Sequence, residues 1–169
     1  MTHAQNTLKW CLKKAENELQ KSHKHRGLRK VQPDNNKAQE YVKKAEHYLR
    51  ATLYLYKGKY SDICASTLFY TMYHCLMAIA TKHGYESRNQ TCTFAVIHYL
   101  IETKEILLET ALVDKVASLD VTDSHQTTSI DIRELYQYGT STTLDNTIYQ
   151  ENLNLAREIL DRTKEIIAE

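Results

Sequence analysis

The stretch YSDICASTLFYTMYHCLMAIATKHG, residues 60–84, decides the fold of this chain. It contains no Pro, and Gly appears only at its end. Apolar side chains recur at helical spacing in several rows, so that nearly every side of the helix is apolar. Such a helix has to be surrounded by other helices. The stretch therefore predicts the core helix of a bundle, ending at the stop signal Lys82-His83-Gly84.

This helix is long enough to cross a membrane, since about 20 apolar residues span a bilayer. Six of its side chains are poorly suited to lipid: Asp62, Thr67, Tyr70, Thr71, Tyr73 and His74. We therefore predict a soluble protein that has no membrane partner. The start of the chain lacks the apolar run of a signal peptide, which predicts a cytoplasmic location.

The composition favours an all-α fold. The 169 residues are enough for one domain with a real core. Four Gly and a single Pro leave few of the breakers that multi-stranded folds require. We expect an up-and-down antiparallel helical bundle over residues 36–169, preceded by a basic N-terminal helix and linker over residues 1–35. The expected helices are 4–22, 36–57, the core helix, 91–102, 106–119, 130–138 and a last helix after the cap Asp145.

Charge is distributed unevenly along the chain. Residues 1–31 hold eight Lys and Arg against two Glu, a net charge of +6. The remaining residues hold fourteen basic against nineteen acidic side chains, a net charge of −5. A basic arm on an acidic body indicates an intramolecular clasp or a contact with a polyanion. A solvated helix face is the simpler alternative.

The four cysteines are Cys11, Cys64, Cys75 and Cys92. They form no CxxC pair and fall within helical patterns. We therefore expect buried thiols in a reducing compartment, and neither a disulfide set nor a zinc site.

Common catalytic motifs are absent: the sequence has no phosphate loop, GxSxG or HExxH. Two weaker features are candidates for binding. His74 lies one helical turn from Tyr70, either as an ordinary core residue or as a polar group at a helix or dimer seam. Arg88 lies in the polar segment YESRNQ, either a recognition loop or the cap of the next helix.

The segment DIRELYQYG, residues 131–139, is the third candidate. On a helix, Arg133 lies near Tyr136, and Glu134 lies near Tyr138. This pattern places a cation, a carboxylate and two phenols just before a Gly/Thr turn, and Arg suits a phosphate. The alternative is an exposed helix on which Asp131 and Arg133 are merely solvated.

Residues 38–85 resemble the HEPN domain (higher eukaryote and prokaryote nucleotide-binding). The resemblance rests on the turn Gly58-Lys-Tyr60 and on the helix segment STLFYTMYH, residues 66–74. It extends over residues 36–168, because the last two helical segments also fit, and residues 1–31 are an addition.

This resemblance implies a bundle that usually forms a homodimer. Many members of the family resemble toxins that cleave RNA without a metal or cofactor and pair with a minimal nucleotidyltransferase antitoxin. Their signature is an Arg followed by a polar residue, with a His five to seven positions after the Arg, ahead of the last helix. Here the matching Arg is Arg133, the next residue is Glu134, and Tyr138 takes the place of the His.

That departure leaves two hypotheses open. Metal-independent RNA cleavage needs a base, an acid and a cation, and a Tyr with a pKa of about 10 does not titrate near neutrality as His does. The first hypothesis is a toxin-like endoribonuclease with a degenerate Arg-x4-Tyr motif, in which His125 is an alternative base. The second is a catalytically degenerate HEPN module that binds a nucleotide or a partner protein. The predicted catalytic residues are Arg133, Tyr138, Glu134 and Asp131, and the predicted nucleotide- or RNA-binding residues are Arg88, Tyr70, His74 and Tyr136.

Overall fold

Helices form most of the structure, a computed structural model that describes residues 1–117 and 127–169. The predicted helical fold is confirmed, with one small sheet that was not predicted. In chain order the elements are α1 (His3–Leu19), β1 (Leu28–Lys30), α2 (Asn35–Lys57), α3 (Ser61–Lys82), β2 (Tyr85–Ser87), α4 (Gln90–Glu102), α5 (Thr110–Asp114), α6 (Ser129–Tyr138) and α7 (Asn146–Ala168).

The core is built around α3, as the sequence predicts. Neighbouring helices α2, α4, α6 and α7 all pack against it. Its apolar residues Leu68, Phe69, Met72 and Leu76 are fully buried. By length and composition α3 could cross a membrane, but 61% of its most apolar window is buried inside the protein, as in a soluble core helix.

Helices α2 and α3 form the predicted antiparallel hairpin. Near the turn, the Thr52 hydroxyl donates to the Thr67 hydroxyl at 2.6 Å. Toward the other end, the rings of Tyr41 and His74 are stacked with their centroids 6.1 Å apart. Within the described part of the chain no side chain caps α3, since Tyr60 takes the N-cap position and Ser61 lies inside the first turn. The Ser61 hydroxyl instead accepts a hydrogen bond from the backbone N–H of Leu144 at 3.0 Å.

Side-chain caps begin the other long helices of the bundle. The Asp34 carboxylate accepts from the N–H of Lys37 at 2.9 Å, and the Asn89 amide oxygen accepts from the N–H of Cys92 at 3.2 Å. Asp145 caps α7 in the same way. A cap satisfies N–H groups that have no partner within the helix, so these residues fix where α2, α4 and α7 begin.

The unpredicted sheet joins the N-terminal linker to the chain after α3. Strands β1 and β2 are antiparallel, with Leu28 opposite Ser87 and Lys30 opposite Tyr85. Each strand has three residues, too few for an alternating pattern to be recognised in the sequence. Gly84 precedes β2 with a φ of +75°, and a Cβ there would lie 2.7 Å from the carbonyl oxygen of Val31. The chain therefore needs Gly at this position.

The helix predicted over residues 106–119 is wrong over its first four residues. Within the described part of this segment only α5 is helical. Before it, Ile106 and Leu108 are buried while Leu107 is 82% exposed. Side chains that alternate between buried and exposed indicate an extended segment. The sequence does not show this alternation, because all three residues are apolar.

The four cysteines do not all remain thiols, so the expectation of no disulfide is wrong. Cys11 of α1 and Cys92 of α4 form a disulfide, with an S–S distance of 2.07 Å, and both residues are fully buried. Helical spacing does not reveal which cysteines face each other across two helices. The bond does not fit the predicted reducing compartment, because disulfides persist mainly in oxidising surroundings. The cytoplasmic location therefore stays a prediction.

Cys64 and Cys75 are the thiols that the sequence predicted, and both are buried. Burial raises the pKa of the Cys64 thiol to about 11, with a further increase from the charge of Asp62. Burial likewise raises the pKa of the Cys75 thiol to about 12. Both thiols therefore stay protonated and unreactive at neutral pH.

Candidate functional site

The Arg133 side chain lies between α6 and α3. Only 7% of the residue is exposed. Its guanidinium carbon lies 4.7 Å from the centre of the Phe69 ring and 6.0 Å from that of the Tyr70 ring. Cations are attracted to the faces of aromatic rings at such distances. Two rings of the core helix therefore hold the Arg133 guanidinium in place.

The hydrogen bonds of Arg133 are incomplete. Its Nη2 donates to Glu134 Oε1 at 3.2 Å, and the Glu134 side chain is 54% exposed. Its Nε is buried and has no hydrogen-bond partner among the described residues. Buried donors are nearly always paired in folded proteins. A guanidinium with an unpaired nitrogen and an exposed carboxylate partner is therefore a candidate ligand site.

His74 lies at the centre of a ring cluster formed with four tyrosines. The centroid distances from the His74 ring range from 5.2 Å to Tyr48 up to 6.4 Å to Tyr70 and Tyr73. His74 Nδ1 is buried and has no partner among the described residues. Burial, and secondarily the charge of Lys44, lowers the pKa of His74 below its ordinary value. His74 is therefore neutral at neutral pH and able to accept a proton.

Tyr70 connects these two features, because Arg133 and His74 lie against the same ring. We call the set Phe69, Tyr70, His74 and Arg133 the Arg133–His74 surface. It combines a cation, a neutral imidazole and aromatic rings. In RNA recognition and cleavage a cation binds phosphate, an aromatic ring stacks on a base, and an imidazole transfers a proton.

The other predicted residues of α6 take different positions. Asp131 lies in the first turn of α6, where its Oδ2 accepts from the N–H and the hydroxyl of Thr128 at 2.9 and 2.6 Å. Thr128 is the N-cap, and Asp131 is its partner in a capping box. Tyr138, the last residue of α6, is 76% exposed, and Tyr136 packs partly buried against the core. Within the described residues no hydrogen bond or ring contact joins either tyrosine to Arg133.

Arg88 belongs to a separate group, which we call the Glu86 cluster. Its Nη2 lies 2.9 Å from Glu86 Oε1. The same carboxylate is approached by His25 Nε2 at 3.6 Å and by Arg29 Nη1 at 3.9 Å. Burial alone would raise the pKa of Glu86, but the hydrogen bond and charge of Arg88, with the charges of His25 and Arg29, lower it overall. The cluster ties the basic linker to β2.

A cleft adjoins the ring cluster on its side toward the sheet. Its volume is about 320 Å³, and Tyr41 both lines it and stacks on His74. Its charged lining residues are Lys37, Asp34 and Glu86, of which Asp34 caps α2 and Glu86 pairs with Arg88. A ligand seated against His74 therefore has room to extend into this cleft.

Sequence reasoning missed the tyrosines of α2 as site residues. Tyr41 and Tyr48 are seven positions apart, and this spacing placed them among the residues expected to be buried. The signal that would have identified them is the spacing of seven residues, which places both tyrosines on the face of α2 that packs against His74 of α3. His125, the alternative base, lies outside the described residues. No group of three or more His, Cys, Asp or Glu suited to a metal occurs in residues 1–117 and 127–169.

Comparison with models of protein families found no match, and a search of curated proteins also found none. The site is therefore interpreted from its own geometry.

Proposed function

We propose that this chain is a HEPN-type module that binds the phosphate of RNA or of a nucleotide at the Arg133–His74 surface. The observation that carries this proposal is the Arg133 guanidinium, held over two aromatic rings with its Nε unpaired. Arg has five N–H donors, and Glu134 engages one Arg133 nitrogen. The Glu134 carboxylate is exposed enough to swing aside and admit a phosphate oxygen.

We propose that the module acts as a homodimer. Leu135 and Tyr138 on α6 are 67% and 76% exposed, and Tyr60 and Ile63 at the start of α3 are 57% and 44% exposed. The hydrogen bond between Ser61 and Leu144 brings the chain after α6 back to the start of α3. Exposed apolar side chains gathered at one end of a protein are typical of a contact surface. A second copy covering this end would bring two Arg133 residues toward one cleft.

Cleavage of the bound RNA is a second candidate function, and His74 favours it. A metal-independent endoribonuclease needs a base that takes the proton of the 2′-hydroxyl, a cation for the phosphate, and an acid that protonates the leaving 5′-oxygen. Neutral His74 suits the first role and Arg133 the second, and His74 that has taken the proton, or solvent water, returns a proton to the leaving oxygen. Tyr138 is exposed and has no contact with Arg133 among the described residues. In a toxin–antitoxin setting, a minimal nucleotidyltransferase would be the partner.

The binding proposal is tested with a fluorescent single-stranded RNA and with nucleoside monophosphates. Arg133→Gln keeps a polar side chain but shortens it and removes the charge. We expect affinity to fall about tenfold or more, because charge-assisted hydrogen bonds to phosphate are lost. Arg162→Gln is the matched control, since Arg162 is exposed and pairs with Glu165.

Circular dichroism and thermal unfolding confirm that both variants are folded. The proposal fails if wild-type protein binds neither ligand. It also fails if folded Arg133→Gln protein binds as tightly as the Arg162→Gln control. Incubation of RNA with wild-type and His74→Gln protein in the presence of a chelator tests cleavage separately.

A further inference from the structure

The outer face of α1 carries an exposed Trp. The inner face of this helix is buried against α4 through Leu8, Cys11 and Ala15, and the Cys11–Cys92 disulfide fixes it there. Trp10 points the other way and is 54% exposed. It is the only Trp in the chain. Large aromatic side chains are usually buried, so an indole on a clamped, solvent-facing helix requires an explanation.

Cations surround this indole. Lys13 and Lys14 lie one turn after Trp10 on the same side of α1, and the ammonium of Lys14 is 5.1 Å from the centre of the Trp10 ring. Lys9 and Lys13 are exposed. Two acidic side chains share this part of α1: Glu18 pairs with Lys14 at 3.9 Å and accepts a hydrogen bond from the N–H of Arg26, and exposed Glu16 lies one turn after Lys13, against the three lysines. The face therefore keeps a positive charge around an aromatic ring.

Single-stranded nucleic acid is the ligand that matches this combination. Proteins that bind single strands stack bases on aromatic side chains and follow the backbone with Lys and Arg. A membrane surface fits less well, because an interfacial helix inserts a continuous apolar face, and that face of α1 is buried against α4. The outer face offers one ring.

We propose that Trp10, Lys9, Lys13 and Lys14 form a second, sequence-independent binding surface for single-stranded polynucleotide. Trp10 stacks on a base, and the three ammonium groups neutralise adjacent phosphates. This surface uses none of the residues of the Arg133–His74 surface, and binding at it does not require that Arg133 bind phosphate.

The single Trp supplies a direct readout. Wild-type protein is titrated with a uridine oligonucleotide while Trp fluorescence is recorded, and stacking is expected to quench it to saturation. Anisotropy of a labelled oligonucleotide then compares the variants. Trp10→Ala is expected to weaken binding about tenfold or more. Trp10→Phe, which keeps a ring, is expected to recover most of the affinity.

The contribution of the lysine charges to binding is measured from the dependence of affinity on salt concentration. For Lys13→Gln/Lys14→Gln, the slope of log affinity against log salt is expected to become shallower by about 1.4, since each single-strand phosphate contact contributes about 0.7. Tyr54→Ala and Lys57→Gln/Lys59→Gln are the matched controls. These residues are exposed at the α2–α3 end of the molecule, and their removal is expected to change neither affinity nor slope.

The proposal is overturned if the oligonucleotide leaves Trp fluorescence unchanged and Trp10→Ala binds like Tyr54→Ala. If Arg133→Gln weakens RNA binding while Trp10→Ala does not, the proposed function stands and the Trp10 surface is refuted. Vesicles containing phosphatidylserine complete the test. A blue shift with these vesicles, without quenching by the oligonucleotide, would identify a membrane surface and contradict the proposal.

Discussion

The Arg133–His74 surface and the Glu86 cluster both combine Arg, His and Glu, but they treat these groups differently. In the Glu86 cluster, Arg88, Arg29 and His25 all lie within 4 Å of one carboxylate. In the Arg133–His74 surface, Arg133 Nε and His74 Nδ1 are buried and have no partner among the described residues. The first group converges on one shared carboxylate and holds the chain, although His25 Nε2 is likewise buried without a hydrogen bond. In the second group no acidic side chain joins Arg133 to His74 among the described residues. Residue types alone would not distinguish them.

The largest loss of stability is expected when the disulfide that joins α1 to α4 is removed. Cys11→Ala/Cys92→Ala removes a link between residues 81 positions apart in sequence. Closing so long a loop stabilises a protein by about 4 kcal/mol through the unfolded chain. Urea unfolding of the double variant should show a loss of this order, and a loss below about 1 kcal/mol would mean that the bond does not form in solution. Cys64→Ala, which removes an unpaired thiol, is the control.

A second prediction concerns Glu86, whose loss leaves two Arg and a His around a neutral amide. Glu86→Gln should destabilise the fold by about 1 kcal/mol, since Arg29 and Arg88 are about half exposed and exposed ion pairs contribute little each. Its pKa is lowered in the fold, so the stabilisation is present above the ordinary value of 4.5 and is lost as the pH falls through the lower folded pKa. The free energies of unfolding of wild-type protein and of Glu86→Gln should therefore converge between pH 7 and pH 3. A difference in free energy that stays constant with pH would contradict a stabilising role of the Glu86 carboxylate.

RNA affinity should depend on the Arg133–His74 surface and not on the Glu86 cluster. Glu86→Gln should not weaken the binding of single-stranded RNA, because removing a carboxylate from the lining of the cleft does not repel phosphate. Arg133→Gln should lose about tenfold or more. Anisotropy titrations at one salt concentration decide this. Equal losses in both variants would mean that the Glu86 cluster takes part in binding.

The smallest effect is expected at His74. Its pKa is lowered in the fold, so the unfolded chain binds a proton near pH 6.5 that the folded protein does not. Stability should therefore fall modestly as the pH drops below 6.5. His74→Gln should remove that component, as seen in the difference between melting temperatures at pH 7.5 and pH 5.5. An unchanged pH dependence in the variant would assign it to another group.

Periodicity and caps predicted the helices because both are local in sequence. The α3 pattern identified the core helix, and the cap Asp145 marked the start of α7. The short strands, the Cys11–Cys92 bond and the Glu86 cluster are contacts between distant segments, which a local pattern does not report.

In the candidate site, too, the sequence identified individual residues but not the contacts between them. Arg133, Tyr70 and His74 were singled out individually, and their common contact through the Tyr70 ring appears only in the packing of α6 on α3. Asp131 was named for its charge, although the same residue type three positions after Thr128 is also a capping signal.

The central claim is that the Arg133 guanidinium binds phosphate, and NMR of the Arg Nε–H groups tests it most directly. Uridine monophosphate is added to the folded protein, with the Arg133 signal assigned by comparison with Arg133→Gln. We predict that the Arg133 Nε–H signal shifts to saturation while that of Arg162 stays in place. A stationary Arg133 signal, or a shift confined to Arg88 and Arg29, would contradict the account.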